Sequence, residues 1–520
     1  MSKKLVTAAL LFILSVAARS QVVAPPYEYG SYSIGRCYDY YKAGLLDEAE
    51  ELLSKAIENF PETPAYDLAV LLQAKIDLAN NNYNLAIQRL TIFITERSNS
   101  SLAPHAALER AYMAFEKGKY KYAEKYFLEA KKLADAEFLE REDSSYNLLA
   151  HYSVFWRAVS LAFDKRLEES GAVFNECVTY YRRGPFTDDA LFALGLTEEM
   201  KGHYRIALTY YNTIEANHPF SNSIVASKIR EMNNYIMLRD ANSALLASEK
   251  AGRIIKSITD NDSTAQVYEP QSYFDTAPAE LLYLKGEAYN IAANYTMATE
   301  LFNDFIAKYS GSGLISLVRL SMGWALLNLQ NYSESIKYFD IIISTIEDEN
   351  STVRSLAALY RSLALKKSGK ADDALRELSA LSVQPGYPYS GNVLLELGQM
   401  YYETGDFSNT ARVLERGLRE SNSELVSTKI NLLLGAAYME QQRWSKAVQC
   451  YQDAGMIALK SSYIAMPQRD WYIAEANLRM GISLANGGNF TQAVPPLLKF
   501  LVQYPNDKKA DEAAFWLAES

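Results

Sequence analysis

The chain has 520 residues, 49% of them hydrophobic and 22% charged, a balance that excludes a disordered or low-complexity protein. Lysine and arginine number 52 against 62 aspartates and glutamates, a net charge of −10 with no basic block, so the clustered cations that phosphate contacts need are missing. Glycine (24) and proline (15) fall below their average shares of about 7% and about 5%, which favours helix, and the three distant cysteines Cys37, Cys177 and Cys450 form neither a disulfide framework nor a CxxC pair.

The first segment reads as an address. Lys3 and Lys4 precede a nearly continuous apolar run from Leu5 to Ala17. That run suits a signal-peptide core and is short of the about 20 residues of a spanning helix. Ala18 and Ser20 place small residues before a cut at Gln21, so residues 1–20 are predicted to be a signal peptide. The competing reading is an uncleaved anchor. No cysteine directly follows the run, which argues against lipidation. No later stretch reaches 18 consecutive apolar residues, so no transmembrane segment is expected after cleavage. The expected location is periplasmic or secreted, where the absence of an ATP pool disfavours a kinase or ATPase.

The body of the chain repeats itself. Leu194-Gly195, Gly202, Tyr204, Ala207, Tyr211 and Pro219 recur in the same order as Leu434-Gly435, Tyr438, Trp444, Ala447, Tyr451 and Ala454. They recur again as Leu397-Gly398, Tyr401, Gly405, Phe407 and Leu414, and as Met480-Gly481, Gly488, Phe490, Ala493 and Pro505. One small residue can be followed throughout: Ala49, Ala86, Ala123, Ser170, Ala207, Ala298, Ser335, Ala374, Thr410, Ala447 and Ala493, most often at intervals of 37 residues. The long interval from Ala207 to Ala298 is expected to hide one or two units. This pattern resembles the tetratricopeptide repeat, two antiparallel helices per unit with a minimal period of 34 residues. The resemblance implies an all-α fold, a right-handed α-superhelix (α-solenoid) of stacked helix-turn-helix repeats. The surplus over the minimal period is expected in the turns between repeats.

The residue types suit that fold. Helices of this length cannot bury an apolar face alone, and stacking the next pair covers it. Small residues at the eighth position of the first helix and the twentieth of the unit allow close approach. The aromatic at position 17 (Tyr83, Tyr120, Tyr204, Tyr295, Tyr332, Phe407, Trp444 or Phe490) plugs the space after the turn. Turns such as Lys201-Gly202-His203 supply a residue able to take φ > 0.

Two places break the pattern. Residues 221–258 read as long helical stretches without the small residues. A polar run from Thr259 to Thr264, followed by Pro270 and Pro278, reads as a linker over 259–279. The expected division is therefore an N-terminal superhelix over 21–258 and a C-terminal one over 280–520. Ala510 to Ser520 looks like the first helix of a further unit without its second helix. Because a solenoid needs a polar cap, the natural chain is expected to continue, or another subunit to cover this end.

The junctions Phe302…Phe305-Ile306-Ala307-Lys308-Tyr309-Ser310 and Phe500-Leu501-Val502-Gln503-Tyr504-Pro505…Ala510 are similar to the F-x-x-x-YP-x-S-x-x-A pattern of exported bacterial repeat proteins near the outer membrane. Asp507 and Lys508 stand where the usual Ser falls, so that match is partial. This resemblance implies an outer-membrane-associated role. Asp262-Ser263-Thr264 and Asp275-Thr276-Ala277 resemble an O-glycosylation acceptor of exported Bacteroidetes proteins.

Chemistry-bearing residues are sparse. His105, His151, His203 and His218 have no histidine four residues away and no cysteine at metal-ligand spacing. The pairs Glu168-Glu169, Glu198-Glu199 and Asp372-Asp373 diverge on a helix and read as solvated faces, whereas glycosidase carboxylates must oppose each other. GxSxG, GxxxxGK[ST] and HExxH motifs are absent. Cys177 and Cys450 fall in second-helix patterns, where a small buried residue is expected. No catalytic residue, cofactor or metal is predicted.

The 38 tyrosines include a subset at first-helix positions that line the concave groove in the resembling family. The repeat phase selects Tyr38, Tyr41, Tyr112, Phe115, Tyr283, Trp324 and Tyr402 as a protein-binding groove. The competing reading is that they fill gaps between helices. Lys and Asn, which clamp a C-terminal carboxylate in the chaperone-binding members, are not prominent there. The expectation is a non-enzymatic periplasmic scaffold binding protein partners of the cell envelope or outer membrane. The alternatives are a repeat module of a larger cell-wall enzyme and a glycan-binding solenoid.

Overall fold

The computed structural model describes residues 32–59, 64–182, 184–260, 271–348, 351–461, 464 and 466–520. The expected signal peptide and the Asp262-Ser263-Thr264 motif lie outside them. Among the described residues every regular element is a helix, so the all-α expectation holds.

The chain divides into two compact units, 1–292 and 293–520. In the first, α1 (Tyr32–Lys42) pairs with α2 (Leu46–Asn59), α3 (Pro64–Ala79) with α4 (Tyr83–Glu96), and α5 (Ala103–Glu116) with α6 (Tyr120–Arg141). Next come α7 (Ser144–Phe163) with α8 (Leu167–Tyr180), α9 (Thr187–Met200) with α10 (Tyr204–Asn217), α11 (Ile224–Met237) with α12 (Ala241–Asp260), and α13 (Gln271–Ile291). The second unit opens with α14 (Tyr295–Lys308), then pairs α15 (Ile315–Asn328) with α16 (Tyr332–Thr345), and α17 (Thr352–Lys367) with α18 (Ala371–Ser382). It ends with α19 (Ser390–Glu403) and α20 (Phe407–Glu420), α21 (Glu424–Glu440) and α22 (Trp444–Lys460), α23 (Met466–Asn486) and α24 (Phe490–Gln503), and α25 (Ala510–Glu519). Within each unit a helix packs chiefly on the next one and on the next but one, as a stack of hairpins requires.

The hairpin turn is the same device each time. One residue takes φ > 0: Gly44, Asn81, Gly118, Lys165, Gly202 and Arg239 in the first unit, and Gln330, Gly369, Gly405, Gln442 and Gly488 in the second. The next backbone N–H reaches back five residues, as from Asn82 to the Asp77 carbonyl at 2.8 Å and from Arg443 to that of Tyr438 at 2.8 Å. This bond satisfies a carbonyl that the helix end would otherwise leave open.

All eleven tracked small residues are buried. Each tucks its second helix against the first. Ser170 and Ser335 add a hydroxyl that donates to the facing carbonyl of Ala158 and of Gly323, each at 2.8 Å. The long interval hides one unit within the first compact body: Arg239 takes the turn conformation and Ala244 is fully buried. The intervals of 47 and 46 residues come from longer helices, α6 with 22 residues and α7 with 20, and α23 with 21.

The turns between hairpins repeat as well. Ser100, Ser221 and Ser312 each accept, through the hydroxyl, the backbone N–H two residues on, at 3.2, 2.9 and 3.2 Å. Asp507 does the same through its carboxylate, at 2.8 Å to the Lys509 N–H. The apparent departure at Asp507 thus preserves the turn.

Of the expected linker over 259–279, residues 261–270 lie outside the described residues, and both flanks are helical. Residues 259–260 end α12 and residues 271–279 begin α13, with Pro278 inside the helix. Buried Ala277, Leu284 and Ala288 give α13 an apolar stripe against α11 and α12. That burial outweighs the about 3 kcal/mol a proline costs inside a helix. Accordingly, the units divide after residue 292, beyond the expected hinge.

Candidate interaction surface

First-helix residues at the ninth and twelfth positions come to one side of each hairpin stack. In the first unit Tyr38 and Tyr41 stack at 6.3 Å, and both neighbour Lys75. The Lys75 ammonium lies 2.7 Å from the Glu109 carboxylate. Tyr112 and Phe115 both set their rings edge-on to Trp156, each at 5.2 Å. Burial pushes the Tyr112 hydroxyl well above its ordinary pKa, with Tyr152 and the Glu109 carboxylate adding to it.

Of the seven predicted groove residues, Tyr38, Tyr41, Tyr112, Tyr283, Trp324 and Tyr402 are half-buried. Phe115 is 8% exposed, enclosed by Tyr120, Trp156 and Phe163. Its assignment to the groove is corrected to a packing role, because three rings close around it and leave it little exposed face. Tyr283 packs against the core of the first unit. In the second unit Trp324 leans on Tyr360 at 4.7 Å, and Tyr402 meets Phe407 at 5.4 Å. The residues thus form separate clusters.

Tyr402 also lines a pocket of about 270 Å³ between α19, α21, α22 and α23. Its walls are Leu432, Ala436, Met439 and Tyr451, and its charged groups are Glu440, Glu475 and Arg479. The Tyr451 hydroxyl donates to the Met439 sulfur at 3.3 Å. Arg479 donates to Glu475 at 3.1 Å and to Glu512 at 3.4 Å, and Lys509 donates to Glu475 at 2.6 Å. An aromatic count overlooks these charged groups. No positional signal marks them, since the same repeat positions are polar in other hairpins, as at Glu109, Asp189 and Glu403.

The acidic pairs divide. Glu168 and Glu169 meet Lys201 (3.2 Å) and Arg166 (2.6 Å), and Glu198 meets Lys201 (3.0 Å), all at the surface. Asp373 pairs with Arg376. Glu199 is corrected: it is 1% exposed, not on a solvated face. Its carboxylate accepts from Arg230, from Asn234 and, at 3.0 Å, from the Tyr211 hydroxyl. Three neutral or cationic donors make that burial tolerable.

The fold also brings together two residues far apart in sequence. His151 Nε2 lies 2.8 Å from the Cys177 sulfur, and the imidazole stacks on Tyr181 at 4.9 Å. Burial pushes the imidazole down to about 4 and the thiol strongly up. Both are neutral at pH 7, so the pair is not the thiolate–imidazolium couple of a cysteine nucleophile. Among the described residues no group of three or more His, Cys, Asp or Glu is placed to hold a metal, and no helix is long and apolar enough to cross a membrane.

Residues 71–138 and 475–507 match tetratricopeptide repeat models. A solved tetratricopeptide repeat protein from Parabacteroides merdae aligns over 55% of this chain and 98% of its own, at 16% identity and a TM-score of 0.42. The apo form of RapI aligns over 70% of this chain and 99% of its own, at 12% identity and a TM-score of 0.46. The APC/C hetero-tetramer Cut9-Hcn1 aligns over 94% of this chain and 89% of that one, at 12% identity and a TM-score of 0.33. No curated protein matches the sequence.

Proposed function

We propose that this chain, which carries tetratricopeptide repeats, is a non-enzymatic scaffold that binds protein partners along the first-helix faces of its hairpins, on the far side of the cell membrane. The observation that carries the binding reading is the pocket at Tyr402, where three successive first helices leave aromatic, thioether and ionic groups around one cavity. Such mixed surfaces, rich in tyrosine and low in conformational entropy cost, suit protein recognition. Export rests on Lys3, Lys4, the apolar run Leu5–Ala17 and the small residues before Gln21. An envelope or outer-membrane partner follows from that address and from the resemblance of the Phe305–Ser310 and Phe500–Ala510 junctions.

Two measurements test this. The N-terminus of the chain recovered from a fractionated bacterial envelope should be Gln21. Recovery from the cytoplasm with residues 1–20 attached overturns export. Partners captured by the mature chain from an envelope extract should be lost with Tyr38→Ala combined with Tyr402→Ala, both half-buried, one in each unit. Equal capture by wild type and variant overturns the groove.

A further inference from the structure

The pocket at Tyr402 has a definite charge state. Arg479, its only lining cation, is engaged by Glu475 at 3.1 Å and by Glu512 at 3.4 Å. Glu475 also takes Lys509 at 2.6 Å. Two carboxylates and two cations therefore close on each other beside the cavity. Glu440 stands outside this set. It is exposed, lies at the end of α21, and its carboxylate is close enough to Tyr402 to push that phenol upward, second to burial. The cavity thus carries one carboxylate more than its cations offset.

The remaining walls suit the same charge. The Tyr402 and Tyr451 side chains and the Met439 thioether line the space with Leu432 and Ala436. Tyrosine faces attract cations through their quadrupole, more strongly once water is excluded. An anion would meet the Glu440 and Glu475 carboxylates, and the Arg479 charge is already offset by two carboxylates.

We infer that this pocket is the receptor for one cationic side chain, arginine or lysine, on a segment of a partner protein. The side chain runs its aliphatic stem along Leu432, Ala436 and Met439, sets its head against the tyrosines, and pairs with Glu440. This rests on the scaffold reading above and names what that surface takes. Arginine fits better than lysine, because a guanidinium stacks on a ring and presents a planar fork to a carboxylate.

The test uses the mature chain and a positional-scanning library of ten-residue peptides, each position fixed in turn as arginine, lysine, citrulline, glutamate or leucine. Expected is a preference for arginine, then lysine, over citrulline at one position, reduced about tenfold in Glu440→Gln and in Tyr402→Phe combined with Glu440→Gln. Glu440 is exposed, so its substitution should leave the thermal midpoint unchanged, and Glu519→Gln controls for the change in net charge. A preference for glutamate makes Arg479 the receptor and overturns the inference. So does a preference for arginine that Glu440→Gln leaves intact or that Glu519→Gln reduces equally. Binding without a charge preference overturns the cation assignment while the groove stands, and no binding by any peptide overturns both.

Discussion

The hydroxyl of Ser335 donates to the carbonyl of Gly323, 2.8 Å away, across the two helices of one hairpin. The bare Gly323 also makes room for the Phe339 ring of the second helix: a β-carbon there would lie 2.5 Å from it. The same contact recurs at Gly195 against Tyr211, also at 2.5 Å. Gly323→Ala should therefore destabilise by about 1–3 kcal/mol, the cost of overpacking. Ser335→Ala should cost about 1 kcal/mol through the lost hydrogen bond. Gly252→Ala is the control, since nothing lies within 4 Å of its would-be β-carbon. It sits inside α12 and should gain up to about 1 kcal/mol in helix propensity. Denaturant midpoints decide, and a Gly323→Ala as stable as wild type contradicts the packing argument.

The turns make a second prediction. Gln330 and Gln442 hold φ of 63° and 55°, where the hairpin needs a left-handed residue. A β-carbon costs about 1–2 kcal/mol there, and glycine relieves it at some cost in unfolded-chain entropy. Gln442→Gly and Gln330→Gly should each stabilise by about 0.5–1 kcal/mol. Gly405→Ala, at φ 77°, should destabilise by a similar amount. Thermal midpoints that move the other way refute the strain.

How much of this was legible in the sequence follows from range. The small residues, the plug aromatics and the turn glycines act within one hairpin, so their spacing carried the fold. The hidden unit escaped because Met232 takes the eighth position, where other hairpins use a small residue, and Arg239 takes the turn. Pro278 read as a loop because its cost is local and visible, whereas the stripe of Ala277 and Leu284 that offsets it is visible only against α11 and α12. Glu199 read as surface because its three partners come from other positions in the chain, Tyr211, Arg230 and Asn234. Groove residues were readable by phase, but phase does not distinguish Phe115, enclosed by rings, from Tyr402, at a cavity.

The two buried histidines predict an acid limb. Burial pushes His105 and His151 down to about 4, below the ordinary 6.5. The unfolded chain then binds protons that the folded chain refuses. The stability each supplies is full above pH 6.5 and is lost as pH falls toward 4, at up to about 1.4 kcal/mol per pH unit for each histidine. His105→Leu should flatten the fall in unfolding free energy between pH 6.5 and 4.5. A variant with the wild-type slope would show that His105 charges freely in the fold.

Glu280 predicts a limb of the opposite sign. It is half-buried in the first unit, with Arg230 as the cation facing it and Glu199 as a like charge, and desolvation raises its carboxyl above the ordinary 4.5. The folded chain holds a proton there that the unfolded chain releases. Its contribution is therefore full below pH 4.5 and is lost as pH rises through the raised value. Glu280→Gln should stabilise the protein at pH 7 and remove that loss. Arg230→Leu should do the reverse: it strands the buried Glu199 carboxylate beside Glu280, at a cost of about 3–5 kcal/mol. Adding Glu280→Gln to Arg230→Leu should recover part of that cost, because the neutral amide no longer repels Glu199. Equal stability of the single and double variants at pH 7 would show that the two carboxylates do not interact, and unfolding curves of the four proteins at pH 5 and pH 7 measure it directly.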